Sequence, residues 1–85
     1  MSHTYEDVLQ HIIGYLHAKL KGSSEIDENA DFTRDLNVDS LLIFAIVEDL
    51  EETYRIVVPL ELLYSQKIKT VAELAKEVMR ILDEG

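Results

Sequence analysis

The segment Asp35-Leu36-Asn37-Val38-Asp39-Ser40-Leu41 closes a polar loop and opens the most apolar helix of an 85-residue chain. Asp39 stands where an N-cap belongs, because its side-chain oxygen can accept an N–H group that a helix's first turn leaves unpaired. Ser40 then falls in that first turn. Its hydroxyl is expected to be exposed, held by a rigid element and set at the positive end of a helix dipole. Unpaired N–H groups at such an end suit a phosphate. The pattern points to covalent attachment of a phosphate-linked group rather than to a catalytic nucleophile.

Downstream, the helix is read as Ser40 to Tyr54. With Ser40 at zero and an advance of about 100° per residue, Ile43, Ile46, Val47, Leu50 and Tyr54 share a core-facing side. The other side carries Leu41, Ala45, Glu48 and Glu52, with Phe44 and Glu51 toward Ser40. The outward surface is therefore apolar beside Ser40 and acidic further along. A helix apolar nearly all round at its start, yet acidic later, reads as a docking element rather than a wholly buried one.

Upstream, Tyr5, Val8, Leu9, Ile12, Ile13, Leu16 and Leu20 recur at helical spacing and predict a helix from Tyr5 to about Lys21. Thr4 is its expected N-cap and Gly22 its stop. Residues 22–39 form a long loop pinned by Ile26, Phe32 and Leu36. A turn of helix is expected over Phe32–Leu36, and positive φ at Asn37. After Tyr54, Ile56-Val57-Val58 is an extended link, and Pro59 suits the first position of a short helix, Leu60 to Tyr64. Thr70 and Glu73 have capping-box spacing at the start of a last helix. Asp83-Glu84-Gly85 is expected to be a frayed tail. The sum is an all-α fold, a small bundle of three long helices and one short one, as a single domain over residues 1–85.

Composition narrows the function. A 47% hydrophobic content is that of a folded chain. The formal charge of −9, from 17 acids against 8 Lys and Arg, argues against nucleic acid and anionic membranes and favours partners with a basic face. No cysteine means no disulfide and no thiolate metal site. Met1–Asp7 lacks the basic and apolar regions of a secretory signal, and no apolar run reaches membrane-spanning length. A cytoplasmic monomer is expected.

No metal site is expected either. Asp27, Asn29 and Asp31 mimic the start of a calcium loop, but Phe32 replaces the central Gly and Val38 the bidentate Glu. A serine hydrolase is a poor reading. There is no Gly-x-Ser-x-Gly elbow, and His3, His11 and His17 all lie at or along the first helix.

Phe32-Thr33-Arg34-Asp35-Leu36-Asn37-Val38-Asp39-Ser40-Leu41, the acid-ended helix after it, and Thr70-Val71-Ala72-Glu73-Leu74 together resemble an acyl carrier protein over nearly the whole chain. The resemblance implies that Ser40 is esterified with 4′-phosphopantetheine by a separate, magnesium-using phosphopantetheinyl transferase. The arm's thiol would carry an acyl or aminoacyl group as a thioester, and the domain itself would have no catalytic activity. It further implies recognition of Asp39 by the transferase. Acyl-loading and acyl-processing enzymes with basic or apolar faces would dock on Leu41, Phe44, Ala45, Glu48, Glu51 and Glu52. Two positions depart from the pattern. Asn37 replaces the usual Gly, and Leu42 and Ala45 stand where fatty-acid carriers place acids. The second departure leans toward a specialised lipid, polyketide or nonribosomal peptide pathway. The competing reading is an unmodified protein–protein interaction module that uses the same helix face.

Overall fold

The computed structural model describes residues 3–20, 25–65 and 67–84. Four helices follow in order: α1 (Tyr5–Lys19), α2 (Ser40–Tyr54), α3 (Leu60–Tyr64) and α4 (Val71–Glu84). Thr4 caps α1, its Oγ1 accepting the Asp7 N–H at 3.1 Å. The helix closes at Leu20, whose N–H bonds the Leu16 carbonyl but whose own backbone has left helical values (φ −96°, ψ 84°). It therefore ends about two residues before the expected Lys21, and the expected stop at Gly22 lies outside the described residues.

The core is built from Val8, Leu9, Ile12 and Leu16 of α1, Ile46 and Leu50 of α2, and Val71, Leu74, Ala75 and Val78 of α4. The most extensive packing between helices is that of α1 on α4. Ile26, Phe32 and Val38 from the long loop complete the core. These loop residues are buried because the loop is sewn to the start of α4. The Phe32 N–H bonds Lys69 O, and Val71 and Ala72 donate to Ala30 O and Glu28 O. Asp31 and Thr70 form an antiparallel bridge. Two of the donors that α4 would leave unpaired at its first turn are thereby satisfied by the loop. Thr70 and Glu73 form the expected reciprocal box, Glu73 N–H to Thr70 Oγ1 at 3.1 Å and Thr70 N–H to Glu73 Oε1 at 3.0 Å. The result is a Cα radius of gyration of 12.0 Å, about what a compact chain of this length gives.

Within the loop, the N–H groups of Asp35 and Leu36 both bond Asp31 O, so residues 32–36 form the expected single turn. Asn37 follows at φ 54°. At that φ an L residue is strained, and Asn bears it better than most.

Pro59 is the N-cap of α3 rather than its first helical residue. The tail differs from expectation at Asp83 and Glu84, while Gly85 lies outside the described residues. Asp83 and Glu84 belong to α4, and Arg80 bonds both Glu77 and Glu84 one turn to either side. That ionic lacing holds the last turn in helical register. Among the described residues, no helix is long and apolar enough to cross a membrane.

Candidate functional site

Ser40 is the first residue of α2. Asp39 precedes it in extended conformation, and its Oδ1 accepts the Leu42 N–H at 2.9 Å. The Asp39 carbonyl takes the Ile43 N–H. Val38 is buried beneath the helix start, with its N–H bonded to Phe32 O at 2.7 Å. The helix start is thus held from below by the core and from the side by its cap. Ser40 itself is exposed. Among the described residues its hydroxyl has no hydrogen-bond partner, and neither do the backbone N–H groups of Ser40 and Leu41. The first turn of α2 contains no acidic residue. A free hydroxyl beside free N–H donors at a positive helix end fits a phosphodiester bonded to Ser40 Oγ.

The outer face of α2 begins with Leu41, 78% exposed, and Phe44, 36% exposed. Ala45 is half-buried, and Glu48 and Glu52 are exposed. Glu51 is half-buried, and its Oε2 accepts the Val58 N–H at 2.8 Å. It therefore anchors the extended link to α2 as well as contributing charge to this face. Sequence reasoning missed two further apolar members, Val57 (77% exposed) and Leu60 (57% exposed). The sequence does not mark which residue of the link faces out, because Ile56, Val57 and Val58 are all apolar. Val58 is buried and Ile56 packs on the core, so Val57 must point out. Between α2 and the link runs a groove of about 590 Å³ bounded by Phe44, Val47, Val57, Val58 and Leu60, with Glu48 and Glu51 along it.

No histidine approaches Ser40 as a catalytic partner would. His11 Nε2 lies 2.5 Å from Asp49 Oδ2, and the rings of His3 and His11 meet Tyr54 edge-on. Asp49 is nine residues along α2, about 13 Å from Ser40 by helical rise. Burial first, then the charges of Asp7 and Asp49, push the Tyr54 phenol up. The His–Asp pair thus clamps α1 to the middle of α2. It is not part of a nucleophilic triad.

The described residues form a small helical bundle that presents an unpartnered serine at a capped helix start. The chain belongs to the acyl carrier protein family. The family model described as "Phosphopantetheine attachment site" matches residues 7–78. Two acyl carrier proteins of Brachyspira hyodysenteriae, one from strain ATCC 49526 / WA1, are each 39% identical over 59 residues, covering 69% of this chain and 73% of theirs. Membership makes this chain a carrier and not an enzyme, with covalently attached 4′-phosphopantetheine as its cofactor. It works with a phosphopantetheinyl transferase and with enzymes that handle the carried group.

Proposed function

We propose that Ser40 is the attachment residue, that the domain spans residues 1–85, and that the carried acyl or aminoacyl group belongs to a specialised lipid, polyketide or nonribosomal peptide pathway. The observation that carries the attachment reading is the exposed, unpartnered Ser40 hydroxyl beside two free backbone donors. In the loading step the bond from Ser40 Oγ to phosphorus forms and the pyrophosphate bond of coenzyme A breaks. Adenosine 3′,5′-bisphosphate leaves, and the hydroxyl proton passes to a base of the transferase. When bound, the arm supplies the thiol that holds the acyl group. The chain's own residues hold the helix start in place, Asp39 by capping it and Val38 by anchoring it.

The specialised-pathway reading rests on an α2 start without acids and on exposed Leu41 and Phe44. Partners would meet an apolar contact beside the arm, with Ala45, Glu48, Glu51 and Glu52 completing the face. The low basic content argues against nucleic acid and anionic membranes as partners. The test is intact mass after incubation with coenzyme A, magnesium and a broad-specificity transferase. The expected gain is one phosphopantetheinyl group, lost in Ser40→Ala. A gain that survives Ser40→Ala overturns the assignment. No gain, with partner binding indifferent to that substitution, favours the unmodified interaction module.

A further inference from the structure

The seam between α1 and α2 holds a cluster of titratable groups that attachment at Ser40 does not use. His11 of α1 and Asp49 of α2 are both half-buried, with His11 Nε2 2.5 Å from Asp49 Oδ2. Tyr54, also half-buried, lies against the same pair. The His11 ring meets it edge-on at 5.7 Å between centroids, and the His3 ring at 4.9 Å. Asp7 stands one turn before His11 on α1. Its charge and that of Asp49 add to burial in pushing the Tyr54 phenol up. The seam is therefore negative, and its bases are His3 and His11. No side chain of α3 or α4 hydrogen-bonds or pairs with His11 among the described residues.

The position of the pair gives it leverage over one helix. The most extensive packing between helices is that of α1 on α4. α2 enters the same core through Ile46 and Leu50, and Asp49 stands between them in sequence. A tie at Asp49 thus acts where α2 joins the bundle. A neutral imidazole can give Asp49 an N–H. An imidazolium gives the N–H together with a full charge, and such a bond is roughly twice as strong.

We propose that His11 and Asp49 form a proton-sensitive latch on the helix that bears Ser40. With His11 protonated, α2 is held against α1. As pH rises through the range in which histidine gives up its charge, about pH 5 to 8, α2 loosens while α1 and α4 stay packed. Carboxylates stay ionised across that range, so the proton on His11 is the switch. The extra hold on α2 is present below the range and lost above it.

The test is amide hydrogen exchange of the full chain at about pH 5.5 and about pH 8, expressed as protection so that the intrinsic pH dependence of exchange cancels. The expected result is an about threefold fall in protection at Ile46, Val47 and Leu50 from the lower pH to the higher, in keeping with one part-exposed charge pair. Protection at Leu74 and Val78 of α4 is expected to hold. His11→Gln, which carries no charge at either pH, is expected to show the looser α2 at both. His11→Lys, charged at both, is expected to show the tighter one. His3→Gln is expected to keep the difference seen in the unaltered chain. Equal α2 protection at the two pH values in the unaltered chain overturns the latch. So does a difference that survives His11→Gln or disappears in His3→Gln, or an equal fall in α4.

Discussion

The Glu51 carboxylate accepts the Val58 N–H at 2.8 Å, bonding the last turns of α2 to the chain that has just left them. This contact sets where the link runs, buries Val58 and turns Val57 outward. It also gives a residue of the outer acidic face a structural duty. Replacing Glu51 with Ala strands a part-buried N–H and removes a charge-assisted bond. The expected loss is about 1–2 kcal/mol of folding stability, measured by urea denaturation. Glu51→Gln keeps an acceptor and is expected to retain most of that stability. Equal behaviour of the two variants contradicts this role.

Docking is therefore better probed at positions without such a duty. Leu41→Ala is expected to weaken association with a cognate enzyme fivefold or more, by roughly 1 kcal/mol, with no change in melting temperature. Glu48→Gln with Glu52→Gln is expected to slow association and flatten its dependence on salt. Surface plasmon resonance across a salt series separates the two effects. A partner indifferent to Leu41→Ala does not use the apolar start of α2.

Two backbone positions are suboptimal. Gly14 sits exposed in the middle of α1, and a Cβ added there meets nothing within 4 Å. Gly14→Ala is expected to stabilise the fold by about 0.5–1 kcal/mol, because Ala loses less backbone freedom in a helix. Arg55 closes α2 in the left-handed region at φ 56°, ψ 51°. Arg55→Gly relieves that strain and is expected to raise stability by a similar amount. Thermal melts of both variants check this, and a lower melting temperature in either contradicts it.

Acid is expected to loosen the start of α4. The N–H groups of Lys69, first, and Thr70 hold the Glu73 carboxyl below its usual value of 4.5, against a cost from burial. A depressed folded value means that stability is present above about pH 4.5 and lost as pH falls through the folded value. The same sign holds for Asp31. Glu73→Gln is expected to shallow the acid limb of a pH–stability curve. An unchanged limb contradicts this account of the box.

The sequence revealed the elements whose ends carry local chemistry. Asp39 and the apolar period after it placed both ends of α2, and Thr70 with Glu73 placed the start of α4. Asn37 was legible because few side chains accept positive φ. What escaped depends on contacts distant in the chain or on competing caps. Leu20 leaves α1 early. Pro59 stands one position outside α3. Arg80 extends α4 through Glu84. The bond from Val58 to Glu51, which places Val57 and Leu60 beside Phe44, has no signature in a linear pattern.

Salt offers a further check on the whole surface. With a formal charge of −9, the chain repels itself, and added salt or millimolar magnesium is expected to raise its melting temperature. A melting temperature flat across both titrations contradicts this.

The central claim is that one serine bears the arm, and fragmentation mass spectrometry of the protein purified from its native host tests it most directly. The expected spectrum places a phosphopantetheinyl group on the peptide containing Ser40 and on that residue. A group found on Ser65 or another hydroxyl, or a native protein wholly without it, contradicts the account.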